Sequence, residues 1–262
     1  MPNEINSPSP APTRRWQRPL TTVVLLLFMS FCLLALPSLE RLFLFFPSRW
    51  QVDTNLTPWQ HEEETIGYAR TVESPQTVWL LLHGNAGQAA DRTYALPCFA
   101  AEDAVYIMEY PGYGRRAGTP AKESFNQAAQ EAYRLLRERY PDRPVAVAAE
   151  SLGSGPAAHL ATLPQPPDKL VFIVPFARLA DVAADHFPAF LVRLVLQSDW
   201  DNVAALAGYE GPVDVLAAAE DRVIPVRHAE RLATAVPQAN LVIFDGGHND
   251  WAAPCRMEIR NP

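Results

Sequence analysis

The sequence predicts an α/β protein built on a mostly parallel central sheet with helices on both faces. Three observations carry that expectation. Short apolar runs alternate with helix-like stretches along the chain. Most of the runs are apolar at nearly every position, as strands covered on both faces are. Turns of small and glycine residues bearing polar side chains follow several of them, at the strand ends where sheets of this kind place their ligands.

The strand-like runs are 77–83, 104–110, 144–149, 170–174, 213–219 and 241–244. The clearest helix is 121–140, where Phe125, Ala128, Ala132, Leu135 and Leu136 fall on one face. No internal repeat is visible, and the length beyond the N-terminal segments suits one domain, 40–262.

Before that domain lie two segments of different character. Residues 1–19 are rich in proline and polar residues and end with Arg14, Arg15 and Arg18, which reads as a disordered cationic tail. Between Arg18 and Glu40 come 21 residues without a charge. At about 1.5 Å per helical residue this stretch can cross a hydrocarbon core of roughly 30 Å, so 20–39 is expected to be a single transmembrane anchor. A cleaved signal peptide is the rival, but small residues at the cleavage positions are not clear and the apolar run is long. Bulky Phe31 before Cys32 argues against lipidation there. Arginines before the helix put the N-terminus in the cytoplasm and the domain on the outer, periplasmic or extracytoplasmic, side of the membrane. Residues 41–50, with Phe43, Phe45 and Phe46, read as a linker at the membrane interface or as the first edge of the core.

Composition narrows the function. Lysine and arginine total 22 against 29 acidic residues, a net charge of −7, the wrong sign for a nucleic-acid partner. Cys32, Cys98 and Cys255 are too dispersed for a zinc site and too few for a disulfide scaffold, so no metal is expected.

The run Val145-Ala146-Val147-Ala148-Ala149-Glu150-Ser151-Leu152-Gly153-Ser154-Gly155 ends a buried strand with a serine among small residues and continues into an alanine-rich helix. It reads as a nucleophile elbow, a strained strand-to-helix turn that lifts a hydroxyl above the sheet. A serine hydroxyl is a weak nucleophile at neutral pH and needs a base, which in turn needs a group to hold its tautomer. His248, in a glycine loop after the last strand, and Asp221, after the preceding one, supply both. Glu220 and Asp245 are rival acids that adjoin strand ends closely. His61, His159, His186 and His228 lie off strand ends and read as surface or packing residues. The oxyanion of an acyl-transfer intermediate needs backbone donors. Leu152, after the serine, and Asn85, in Leu82-His83-Gly84-Asn85-Ala86-Gly87, are the candidates, with His83 fixing the loop.

With these residues the chain resembles the α/β-hydrolase superfamily, in particular the small membrane-anchored serine esterases grouped with protein depalmitoylases and monoacylglycerol lipases. The resemblance runs from about Phe45 to Trp251. It rests on Phe45-Phe46-Pro47-Ser48, His83-Gly84-Asn85-Ala86-Gly87, Glu109-Tyr110-Pro111-Gly112-Tyr113-Gly114, the Ser151 elbow, Asp221 with Pro225, and Gly247-His248-Asn249. Ala149 replaces a usual glycine, Glu109 a common aspartate and Arg116 a usual serine. The resemblance implies an α/β-hydrolase fold with a short lid and no cofactor. It also implies hydrolysis of an ester or thioester in a small molecule or acylated protein, through Ser151, His248 and Asp221 and an acyl-enzyme. A catalytically silent module binding a membrane partner, and a serine peptidase, are the alternatives. Oligomeric state is not legible. In an oxidising compartment Cys98 and Cys255 could pair, with two separate thiols the simpler expectation.

The lid would lie between the strands ending at 174 and beginning at 213. Within it, 187–196 is apolar apart from Arg193, so it either packs the core or lines an acyl pocket, with Phe187 and Phe190 as wall residues. Arg115 and Arg116 suggest an acidic leaving group.

Overall fold

Valine, leucine and tryptophan at consecutive positions leave β3 (Val78–Leu82) no face to give to water, and all five of its residues are buried. In the computed structural model, which describes residues 22–24, 36, 38–253 and 257–262, β3 lies inside an eight-stranded sheet. The other strands are β1 (Thr57–His61), β2 (Glu64–Arg70), β4 (Ala104–Met108), β5 (Val145–Glu150), β6 (Leu170–Ile173), β7 (Val213–Ala218) and β8 (Ala239–Phe244). Their order is β1-β2-β4-β3-β5-β6-β7-β8, parallel from β4 to β8, with β2 antiparallel to both β1 and β4.

Each expected strand is present to within two residues, whereas β1 and β2 were not expected. Both are wetter than the central strands. β1 buries only Trp59 and contains Pro58, which an edge strand tolerates because it need not donate on its outer side. β2 mixes buried and half-buried positions instead of forming an apolar run.

Side chains alternate across the sheet, so neighbouring residues of one strand enter different cores. Leu80 and Leu82 join Phe125 and Leu136 of α2 (Lys122–Arg139), Ala157 and Leu160 of α3 (Ser154–Leu160), and Leu232 of α7 (Arg227–Ala235). Trp79 and Leu81 face the other way, toward Ala95, Phe99, Trp251 and Ile259. Helices were expected on both faces. Among the described residues the second face is covered instead by a 3₁₀ stretch, Ala89–Cys98, and by residues near the C-terminus.

Between β6 and β7 the chain forms α4 (Leu179–His186), α5 (Ala189–Val195) and α6 (Asn202–Leu206). α6 packs on α3, while α4 and α5 pack on each other in the segment expected as the lid. In α5 only Val192 is buried, so this segment is not a core-packing helix. The described part of the first helix, α1, spans 38–44.

The expected anchor at 20–39 falls mostly outside the described residues. Among those described, no helix is long and apolar enough to cross a membrane. Cys32 and Cys255 also lie outside them, while Cys98 is a buried thiol whose pKa burial raises.

The join between β5 and α3 is tightly packed against β3. A Cβ on Gly153 would sit 2.2 Å from the Leu82 carbonyl oxygen of β3. Gly153→Ala should therefore lower unfolding free energy by about 1–3 kcal/mol, since overpacking forces backbone to move. Gly208, with no neighbour within 4 Å of an added Cβ, is the control, and its alanine variant should stay within about 0.5 kcal/mol in urea titration.

Candidate active site

Ser151 follows the last residue of β5 with φ of 51°, the left-handed region that a non-glycine residue occupies only under constraint. The turn Ser151–Gly153 then enters α3, and the small Ala149 is accommodated with full burial where related elbows carry glycine. Asp221 and His248 lie in the loops after β7 and β8, neighbouring parallel strands. His248 Nε2 is 2.9 Å from Ser151 Oγ, and His248 Nδ1 is 2.6 Å from Asp221 Oδ2. The other carboxylate oxygen of Asp221 accepts the backbone N–H groups of Val223 and Ile224, each at 2.8 Å. The acid is thus fixed in rotation, and with Nδ1 donating to it, Nε2 is left to accept from the serine hydroxyl. Glu220 and Asp245 are exposed, and the carboxylate on the imidazole is that of Asp221.

The 83–87 loop is held from three directions. Asn85 Nδ2 donates to Leu44 O at 2.5 Å, and its Oδ1 accepts from Tyr113 Oη at 2.9 Å and Phe46 N at 3.3 Å. Ser48 N donates to Gly87 O at 3.0 Å, and Tyr110 Oη to His83 O at 2.8 Å. The Phe-Phe-Pro-Ser and Pro-Gly-Tyr-Gly segments therefore serve as clamps on this loop. His83 is fully buried, with Nδ1 2.7 Å from Gly84 O and Nε2 3.5 Å from Glu109. Its contacts are those of a residue that fixes the loop. Gly114, at φ of 52°, gives Glu109 room, because a Cβ there would meet its carboxylate at 2.2 Å.

A third hold comes from Glu150, which sequence reasoning passed over. Its buried carboxylate accepts Gly84 N at 3.0 Å and Trp251 Nε1 at 3.1 Å, and Tyr94 Oη lies 3.3 Å away. Arg92 bonds Tyr94 Oη and the Ala86 carbonyl. Burial, then the Glu150 charge, pushes the Tyr94 hydroxyl well above its ordinary pKa. Burial lowers the Arg92 pKa, but Glu150, Tyr94 and Asp91 together outweigh it and the net shift is upward. The available signal was a glutamate closing an otherwise apolar strand.

Ser151, Leu152, Asn85 and His248 all line one cavity of about 410 Å³ whose apolar walls include Phe43, Leu44, Phe176, Leu179, Val182 and Phe187. Phe187 is brought to the site as expected, but Phe190 is not. It is 74% exposed and lines no part of the cavity. Two residues subtend about 200° on a helix, so with Val192 facing inward Phe190 must face out. His186, read as a surface or packing residue, lines the cavity, and its Nε2 is 2.9 Å from Val223 O. His61 closes β1 and does not lie off a strand end. Arg116 is not available to a leaving group. It is buried, donating to Glu109 O at 2.8 Å beside Glu64 and Glu131, and neither it nor Arg115 lines the cavity. On its far side α4 is strapped to α7 by Asp185, which contacts His228 at 2.7 Å and Arg227 at 2.5 Å, and by Asp181 with Arg231 at 2.5 Å.

With this geometry in view, likeness to known proteins can be weighed. No family model matches the chain. An uncharacterized protein of Mycobacterium tuberculosis is 33% identical over 176 residues, covering 65% of this chain and 62% of that protein. Lysophosphatidylserine lipase ABHD12 of Xenopus tropicalis is 26% identical over 223 residues, covering 74% of this chain and 57% of the lipase. The chain thus spans less than two thirds of the curated relatives named here. Among solved structures, an esterase of Pyrococcus furiosus superposes with a TM-score of 0.62 at 13% identity, covering 80% of this chain and 92% of the esterase. A monoacylglycerol lipase of Paleococcus ferrophilus gives 0.53 at 15% identity, covering 72% and 92%. The architecture is the α/β-hydrolase fold.

If Glu150 ties these loops together, removing its carboxylate strands buried donors. Glu150→Ala should cost at least about 1–3 kcal/mol in urea unfolding, the usual penalty for one such group. Glu150→Gln keeps an acceptor oxygen and should cost less.

Proposed function

We propose that this protein is a membrane-anchored serine hydrolase that cleaves carboxylic ester or thioester bonds of acyl substrates. The observation that carries this reading is the hydrogen-bonded series Ser151–His248–Asp221 opening into an apolar cavity. Ser151 Oγ attacks the acyl carbonyl while His248 Nε2 takes its proton, and Asp221 stabilises the imidazolium that results. The negative charge on the former carbonyl oxygen is received by the backbone N–H groups of Leu152 and Asn85. Collapse of this intermediate expels the alcohol or thiol, which takes the proton from His248, and leaves Ser151 acylated. Water, deprotonated by His248, then attacks the acyl-enzyme; the acyl–Oγ bond breaks, Ser151 Oγ takes the proton back from His248, and the acid is released.

An apolar cavity with few polar groups suits the hydrocarbon part of an acyl group better than a peptide, which carries a donor and an acceptor at each residue. The hydrolase names of the relatives favour the same reaction class. The uncharged stretch before Glu40, which ends in exposed Leu39 and is followed by exposed Leu42 and Phe43 on α1, supports anchoring in a membrane with the catalytic domain on the outer side.

Ser151→Ala should abolish both ester hydrolysis and labelling by a fluorophosphonate while leaving the thermal unfolding transition in place; retained labelling would move the nucleophile elsewhere. Asp221→Asn should lower kcat by on the order of 10⁴-fold through the wrong imidazole tautomer. Asp245→Asn should change it only a few-fold, and the reverse ranking would reassign the acid.

The anchor is tested separately from the chemistry. Carbonate extraction should leave the full-length protein with the membrane pellet, and protease added from the outer side should digest the catalytic domain. Release into the supernatant of a form beginning near Leu39 would identify a cleaved leader instead.

A further inference from the structure

Phe43, Leu44, Ala183 and Phe187 line the Ser151 cavity and also a second hollow of about 270 Å³ between α1 and α5. Beyond these shared residues its apolar walls are Leu39 of α1, Leu191, Val192 and Val195 of α5, and Leu196 after it. The one lining side chain with polar atoms is Glu40, and its carboxylate is already engaged by the backbone N–H groups of Gln197 at 2.6 Å and Ser198 at 2.5 Å. Those two bonds fasten α1 to the end of the lid and withdraw the charge from the groove. Phe43, Phe187 and Leu191 remain exposed at 61%, 49% and 38%, so the apolar walls stand open to water. An uncovered apolar groove of this kind is characteristic of a binding surface.

We propose that the groove between α1 and α5 is the distal subsite for a long acyl chain whose carbonyl lies at Ser151. The chain's first carbons occupy the 410 Å³ cavity, and its tail passes Phe43 and Phe187 into the groove. Two features select an alkyl chain over other occupants. The groove continues from the reacting serine through shared walls, so a ligand in one is within reach of the other. It also offers no free polar partner, which an alkyl chain does not need and a peptide segment does. The proposal rests on the acyl-hydrolase reading above and adds where chain length is measured.

The test uses full-length protein and 4-nitrophenyl esters of butyrate, octanoate and palmitate. In the wild type kcat/KM should rise with chain length. Val195→Trp and Leu191→Trp, which fill the groove from its far wall, should each lower the palmitate-to-butyrate ratio of kcat/KM by about ten-fold or more, a loss equivalent to roughly two buried methylene groups. Arg134→Ala, on an exposed position of α2, should leave the ratio unchanged. Thermal melts establish that each variant is folded, and Leu191 is partly exposed, so its replacement serves where Val195→Trp does not fold. A ratio that stays within about two-fold of wild type in a folded groove variant overturns the proposal. That is also the outcome if residues 25–35 of the chain fill the groove. A wild-type protein that hydrolyses the esters while the ratio ignores the groove loses this subsite only. One that neither hydrolyses any ester nor takes a fluorophosphonate at Ser151 loses the hydrolase reading, and the subsite with it.

Discussion

The carboxylate of Glu150 is buried one residue before the strained serine, and a buried charge must be met by donors. The donors it finds belong to three other parts of the chain: the loop after β3 through Gly84, the 3₁₀ stretch through Tyr94, and the segment beyond β8 through Trp251. None is near Glu150 in sequence. Satisfying one carboxylate therefore requires the elbow, the 83–87 loop and the region following His248 to be in register together. Arg92 extends the same network by bonding Tyr94 and the Ala86 carbonyl. The relative placement of serine, histidine and candidate oxyanion donors is a by-product of this demand.

α1 belongs to the same assembly. Its end is held by Asn85, which donates to the Leu44 carbonyl, and within its described part Glu40 accepts two N–H groups after α5. Phe43 and Leu44 are walls of the cavity. The residues that follow the apolar N-terminal stretch thus reach the candidate site within the described part of α1, which is hydrogen-bonded at Glu40 and at Leu44.

What could be read from the sequence follows from how many neighbours decide each feature. β3, β5 and β6 are apolar on both faces, so their composition alone marks them, whereas β1 and β2 take their identity from pairing at one side of the sheet. Ser151, Asp221 and His248 were legible because each follows a recognisable strand in a fixed order. Phe187 and Phe190 were not separable, because which face of seven-residue α5 turns inward depends on what packs against it. His186 looked unremarkable in sequence, since its place at the cavity depends on α4 running back over the loop that carries Asp221. Arg116 looked like a free charge beside a glycine turn, yet it closes a buried junction with Glu109, Glu64 and Glu131.

The lid is held differently on its two flanks. Toward α7 the contacts are ion pairs of Asp181 and Asp185 with Arg231, Arg227 and His228, and the arginines are largely exposed. Toward α1 the hold is the buried Glu40 carboxylate on the N–H groups of Gln197 and Ser198, beside an open apolar groove. Dissolved salt screens exposed charge pairs over a Debye length of about 8 Å at physiological ionic strength. Salts excluded from protein surfaces strengthen apolar association. A rise in such salts therefore screens the exposed pairs on the α7 flank while favouring cover of the open groove on the α1 flank, so the two flanks answer the ionic medium in opposite senses.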